Sequence, residues 1–284
     1  LPEASFAGQQ ESYLNISGKK AVLEACKKCY ASLFTDRAIS YRDEQGFNHM
    51  DVALSVGIQK MVRSDLAGAG VLFTLDTDSG FPDVVLINAA WGLGENVVQG
   101  TVNPDQYTVY KPFLDNRDIN SIIGKQLGDK KIKAVYSDDE DEPVKNADTT
   151  DKERRSYVLS EEEILRLARW GKTIEGHYGK PMDIEWAKDG ELDEIFIVQA
   201  RPETVHSQKE TTASLKSYTL NEEGDTLLKG LGIGHGIGTG KVQIIESADD
   251  IEQFDENSVL VTEMTDPDWV PVMKRASVPV TVVR

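Results

Sequence analysis

Residues 182–201 constrain this chain more than any other stretch. Two segments there read as strands, Met182–Trp186 and Ile195–Arg201, close enough in sequence to form a hairpin. Side chains alternate faces along a strand. Asp183 and Glu185 therefore share one face, and so do Gln199 and Arg201. If the strands pair, two carboxylates, an amide and a guanidinium converge on one patch. Carboxylate and amide oxygens suit Mg²⁺, and a guanidinium suits phosphate. The plain alternative is a hairpin with a solvated charged face. Register decides between them. Asp189-Gly190 invites a two-residue turn, which would set Glu185 against Glu194, and like charges directly opposite repel. A register centred near Leu192 instead sets Glu185 opposite Gln199, with a longer loop over Asp189–Glu194, and that register is the expectation.

The rest of the chain reads as mixed α and β. Residues 19–34 carry a helical apolar stripe through Val22, Leu23, Cys26, Tyr30 and Leu33. Ala53–Val62 and Val71–Leu75 read as strands. Val84–Ala90 is a continuous apolar run and so a buried strand. Ser137–Arg155 is polar and acidic and reads as a solvated loop. Ser160 with Glu163 forms a capping box that opens a helix ending near His177 or Gly179. Val205–Leu220 reads as a linker. Glycines at 230, 232, 234, 236, 238 and 240 lack the i+5 position of a dinucleotide fingerprint, so they predict one Cβ-free face that allows close packing. Asp266 and Pro267 predict the start of a short helix to Lys274 or Arg275.

Composition removes several classes. The formal net charge is −17, from 48 acidic and 31 basic side chains, which argues against non-specific nucleic-acid binding. No run of 18 apolar residues occurs, so no membrane helix is expected. The N-terminus has neither a basic nor an apolar leader segment, and no initiator Met, so a piece of a longer or processed protein is expected. Cys26 and Cys29 have C-x-x-C spacing without a second ligand pair, and read as ordinary helix cysteines of a reducing cytoplasm.

The Asp183–Trp186 and Gln199–Arg201 segments resemble the end of the ATP-grasp nucleotide domain in the dikinase family. Four further segments follow that family's order. Ser5-Phe6-Ala7-Gly8-Gln9-Gln10 looks like its phosphate loop, and Gln59-Lys60-Met61-Val62 like its adenine hinge. Trp91-Gly92-Leu93-Gly94-Glu95 and Asn103-Pro104-Asp105 look like landmarks between hinge and metal site. Thr265-Asp266-Pro267-Asp268-Trp269 looks like the approach to a phosphohistidine, in the wording of the water-using branch. The resemblance implies an α+β fold: an ATP-grasp domain over 1–204, a linker over 205–226, and the start of a swivelling phosphohistidine domain over 227–284. It implies that ATP, pyruvate and water become AMP, phosphoenolpyruvate and phosphate. Glu185 and Gln199 would hold Mg²⁺, Arg201 would steady phosphate charge, and Asp183 would support the site. Ala7, Gly8 and Gln9 would offer backbone donors to ATP, with Gln59, Met61 and Val62 framing adenine. Pyruvate would bind a domain outside this chain, in a cytoplasmic enzyme expected as a homodimer. None of His49, His177, His206 and His235 has phosphohistidine context, so the piece alone is expected to be inactive. An antibiotic phosphotransferase of the same family, or a nucleotide-binding module without catalysis, are the competing readings.

Overall fold

The computed structural model describes residues 11–116, 118–139, 142–203, 224–225, 227, 237–247, 253–263 and 269–281. In chain order the helices are α1 (Lys19–Ala31), α2 (Asp36–Gln45), α3 (Glu95–Val98), α4 (Asp151–Arg154), α5 (Glu161–Tyr178) and α6 (Val270–Met273). The strands are β1 (Gly68–Phe73), β2 (Val84–Trp91), β3 (Asp105–Tyr110), β4 (Ile122–Gln126), β5 (Ile132–Tyr136), β6 (Val144–Asp148), β7 (Met182–Asp189), β8 (Glu194–Pro202), β9 (Val242–Ile244), β10 (Val259–Thr262) and β11 (Val278–Thr281). They fall into two compact units: Val62–Ser137 with Lys145–His235, and Leu1–Met61 with Asp138–Val144 and Gly236–Arg284.

The first unit is built on a six-stranded sheet in the order β4-β3-β2-β1-β7-β8, every pair antiparallel. Its core lies on one face. Leu72, Val85, Ile87, Ala89, Tyr107, Val109, Met182, Ile184 and Trp186 pack there against Ile164, Leu167 and Ala168 of α5. The α5 stripe explains this choice, since positions 164, 167, 168 and 171 line one side of a helix. Gly171 belongs to that stripe because a Cβ there would stand 2.8 Å from Leu72 Cδ2. The helix starts at the expected capping box, Ser160 with Glu163, and stops at Gly179 with φ 67°. β1 begins three residues before the expected Val71 and ends two before the expected Leu75, and Ala53–Val62 is not a strand. Its apolar and polar residues alternate, but no neighbour completes a ladder there.

Residues 137–155 hold more structure than a solvated loop. β6 pairs with β5, and Thr150 caps α4 through a second capping box with Glu153. The strand's Val144-Lys145-Asn146-Ala147-Asp148 is largely exposed and mostly polar, so no apolar alternation marks it.

The second unit contains α1 and α2 and a three-stranded parallel sheet in the order β11-β10-β9. Ile245, Phe254, Leu260, Trp269 and Val272 form a core around that sheet. A Cβ on Gly238 would fall 2.6 Å from Val278 Cβ, and one on Gly240 would clash with Asn257 O, so these two glycines do allow close packing. The glycines from 230 to 236, the segment 264–268 with Asp266 and Pro267, and nearly all of the expected linker lie outside the described residues.

Candidate functional site

The β7–β8 hairpin carries the candidate site on the sheet face opposite α5. Asp189 and Glu194 pair at its tip, and residues 190–193 make a four-residue loop. Asp189 organises that loop: its Oδ1 accepts from the Glu191 and Leu192 N–H groups at 2.9 and 3.0 Å. Asp193 takes φ 55° to complete the turn. From the tip the pairing runs Lys188↔Ile195 and Trp186↔Ile197, and then shifts to Glu185↔Gln199 and Asp183↔Arg201. Val198 is the extra residue of a β-bulge.

The expected register near the site is therefore present, reached by a shorter loop plus a bulge rather than by a long loop. The bulge does more than adjust spacing. Ile195 and Ile197 belong to or pack against the core, on the α5 face. Strict alternation would send Gln199 and Arg201 to that same face. One inserted residue reverses the phase, and both polar side chains emerge beside Glu185 and Asp183.

The structure thus brings together Asp183, Glu185, Gln199 and Arg201. Arg201 donates from Nε and Nη2 to Asp183 Oδ2 at 2.8 and 2.7 Å. Both bonds use one carboxylate oxygen, so Asp183 sets the direction of the guanidinium without enclosing it. Glu185 is half-buried and directly opposite Gln199, at a cross-strand Cβ spacing of roughly 5 Å. Burial raises the Glu185 pKa, the Asp183 carboxylate raises it further, and Arg201 lowers it.

The neighbouring elements hold this hairpin in place. Lys188 reaches across to Glu163 of α5 at 2.7 Å. Thr74 donates its N–H to Met182 O at 3.0 Å, and its Oγ1 accepts from the Met182 N–H at 2.8 Å. Lys111 joins Glu175 of α5 at 2.6 Å and also bonds Thr74 O. At the other end of the site face, Gly94 sits over Ala69, so the start of α3 covers that end.

The donor set suits a cation shared with a ligand. No three His, Cys, Asp or Glu side chains among the described residues gather into a metal site. One carboxylate and one amide oxygen would leave most of an octahedral sphere to ligand oxygens and water, which is the usual mode for Mg²⁺.

The remaining expected residues stand elsewhere. Ala7, Gly8 and Gln9 lie outside the described residues. Gln59 is exposed, Met61 and Val62 are half-buried, and all three lie in irregular extended backbone. Val62 belongs to the sheet unit, and Gln59 and Met61 to the other. Sequence reasoning missed the residue that follows them. Arg63 donates its N–H to Asp189 Oδ2 at 3.1 Å, and its carbonyl accepts from the Gly190 N–H at 3.0 Å. Its guanidinium binds Asp65 through two bonds and Glu191 through one, and lies over the Tyr136 ring. No local pattern signals such a clasp between residues more than a hundred positions apart. Asn88 was also missed, although an amide in the middle of the apolar run Val84–Ala90 was visible in the sequence.

Comparison with known proteins places this geometry. The family model described as "Pyruvate phosphate dikinase, AMP/ATP-binding domain" matches residues 1–222. The phosphoenolpyruvate synthase of Synechocystis sp. is 55% identical over 287 residues, covering 99% of this chain and 35% of that protein. That of Helicobacter pylori is 54% identical over 293 residues (99% and 36%), and that of Escherichia coli 52% over 284 residues (99% and 35%). The chain spans about a third of the length of these relatives.

Proposed function

The chain belongs to the family of the pyruvate phosphate dikinase AMP/ATP-binding domain, and from that premise we propose that it is the nucleotide-binding part of a phosphoenolpyruvate-forming phosphotransferase. ATP binds on the sheet face opposite α5, in an ATP-grasp arrangement. Glu185 and Gln199 are the residues that would hold Mg²⁺ beside the phosphates. When bound, that ion supplies charge neutralisation to the oxygens on which charge develops during transfer. Arg201 offers its remaining guanidinium edge to the same oxygens, and Asp183 fixes its direction. Ala7, Gly8 and Gln9 lend backbone donors, and Gln59, Met61 and Val62 border the adenine.

In the longer protein this part drives conversion of ATP, pyruvate and water to AMP, phosphoenolpyruvate and phosphate through a phosphohistidine. Residues 227–284 begin the carrier domain, pyruvate binds farther along, and the assembly is a cytoplasmic homodimer. No helix among the described residues is long and apolar enough to cross a membrane. The names of the relatives favour phosphoenolpyruvate formation over antibiotic phosphorylation.

The observation that carries this reading is the placement of Glu185 opposite Gln199, with Arg201 turned in by Asp183, on a face the core does not use. In the full-length protein, Glu185→Gln and Arg201→Ala should each lower phosphoenolpyruvate formation at least ~100-fold, the scale of losing one transition-state donor. Glu162→Ala, on the exposed side of α5, should leave it unchanged. Near-normal turnover by either site variant sinks the assignment.

A further inference from the structure

One polar side chain on the site face has no task in the mechanism above. Asn88 lies in β2, whose other side chains are buried apolar groups apart from the half-buried Trp91. Asn88 pairs with Val71 of β1, Val71 pairs with Glu185 of β7, and Glu185 pairs with Gln199 of β8. On the other side Asn88 pairs with Gln106 of β3. Directly opposed residues in an antiparallel sheet project from the same face. Gln106, Asn88, Val71, Glu185 and Gln199 therefore form one transverse row across five strands, on the face that carries the candidate site. The alternate positions of β2, Val85, Ile87 and Ala89, all enter the α5 core, which confirms the side Asn88 takes.

Asn88 Oδ1 is sealed from solvent and has no hydrogen-bond partner. A buried acceptor left unmade costs about 1–3 kcal/mol, and groups of this kind call for an explanation. Asn88 as a whole is half-buried, so a turn of its carboxamide about the Cβ–Cγ bond carries the oxygen from this sealed position to the accessible side of the residue, where a ligand can meet it. Two strand spacings, about 10 Å, separate Asn88 from Glu185 along the row. A nucleoside triphosphate whose phosphates meet Glu185 and Gln199 is long enough to extend over Val71 to Asn88. A carboxamide oxygen accepts and does not donate, so its partner is an N–H or O–H donor. At about 10 Å from the phosphate pair the ribose hydroxyls and ion-bound water come before the adenine amino group, which lies at the far end of the nucleotide.

We propose that Asn88 is a nucleotide-binding residue, whose Oδ1 accepts a hydrogen bond from an O–H group of the bound Mg²⁺–nucleotide. This rests on the nucleotide reading of the face. The donor is either a ribose hydroxyl or a water held by the ion. Val71 is the apolar spacer that keeps this contact apart from the Glu185–Gln199 pair. Asn88 acts on binding and orientation of the nucleotide, and has no proton to transfer.

The test compares Asn88→Val with Asn88→Thr in the full-length protein. The two replacements have the same shape and differ by one hydroxyl acceptor. Calorimetric titration with Mg²⁺–ATP reads the dissociation constant, and thermal unfolding without nucleotide reads stability. Asn88→Val should weaken Mg²⁺–ATP about tenfold, the scale of one hydrogen bond, while unfolding at or above the wild-type temperature. Asn88→Thr should bind within about threefold of wild type. The tenfold difference should vanish with 2′- or 3′-deoxy-ATP if ribose is the donor, and with ATP free of Mg²⁺ if ion-bound water is. Asn88→Val binding Mg²⁺–ATP within twofold of wild type overturns the proposal. So does a Val–Thr difference that persists with all three probes, or a loss of stability in Asn88→Val without a loss of affinity. Glu185→Gln serves as the separate arm. If it loses the Mg²⁺ effect while Asn88→Val binds normally, the nucleotide reading stands and only this inference fails. If the unaltered protein binds no Mg²⁺–ATP, both fall together.

Discussion

Glu185 is asked to be charged where its surroundings resist charge. Burial and then Asp183 raise its pKa, and Arg201 recovers only part of that. A carboxyl raised in the folded state binds its proton more tightly there than in the unfolded chain. Its favourable contribution to folding is complete below the unfolded value, about 4.3, and is lost as pH rises through the raised folded value. At neutral pH the ionised group therefore opposes folding. Glu185→Gln should melt at a higher temperature than wild type at pH 7–8 without ligand, and the advantage should close as pH falls toward 4. Scanning calorimetry across that range reads it, and a lower melting temperature for the variant at pH 8 counts against the argument. In the nucleotide reading, Mg²⁺–nucleotide should reverse the order, since there only the wild-type carboxylate would gain from the ion. The same residue then stabilises the complex and destabilises the empty protein, which is common at sites held in readiness.

At the scale of elements, the hairpin tip is fastened to the start of the sheet unit by Arg63. Asp189 is buried and accepts three backbone N–H groups, from Arg63, Leu192 and Glu191, which hold its pKa below the usual carboxylate range. Asp189→Ala strands those donors and should cost about 2 kcal/mol of stability, read by urea unfolding monitored by tryptophan fluorescence. An unchanged midpoint would show that the clasp is replaceable by water. The segment it holds directly follows Val62, so in the nucleotide reading the variant should also raise KM for ATP more than it lowers kcat. Much of this level was legible in the sequence. Strong local signals named α5 by its capping box and stripe, β2 by its apolar run, and the Glu185–Gln199 pairing by charge repulsion in the competing register. What stayed hidden has physical reasons. Ala53–Val62 carries a strand pattern, but a strand needs a partner, and pattern says nothing of partners. β6 has a partner but almost no pattern. The bulge at Val198 could not be read from the hairpin alone, because it resolves a conflict between Ile195 and Ile197, wanted by α5, and Gln199 and Arg201, wanted by the other face.

At the scale of the whole sheet unit, Asp105 is a node beneath the core. Asp105 and Lys130 are both 0% exposed and form an ion pair. The carboxylate also accepts from the Gly128 and Val158 N–H groups at 2.9 and 2.8 Å and from Tyr107 Oη at 3.2 Å. It thereby joins β3, the β4–β5 connection and the chain entering α5. Burial first, and Asp105 second, drive the Tyr107 pKa far upward, so the phenol stays a donor throughout the working range. Asp105→Ala leaves Lys130 charged and unpaired in the interior, and should cost about 3–5 kcal/mol. Adding Lys130→Met should return a large part of that loss. Chemical unfolding of the two variants checks this: a double variant no more stable than the single would show that the carboxylate matters for its N–H partners rather than for the lysine. Asp105 thus gives the Asn103-Pro104-Asp105 segment an architectural role.

The bulge at Val198 also limits how this hairpin can change over time. Because face assignment along a strand is a matter of odd and even, losing or gaining one residue between the tip and Gln199 exchanges Gln199 and Arg201 with the side chains of the core. A change of two keeps every side chain on its own side and merely slides the pairing. Lineages carrying this hairpin are therefore expected to vary in length by even numbers there, or to compensate a single deletion with another insertion on the same strand.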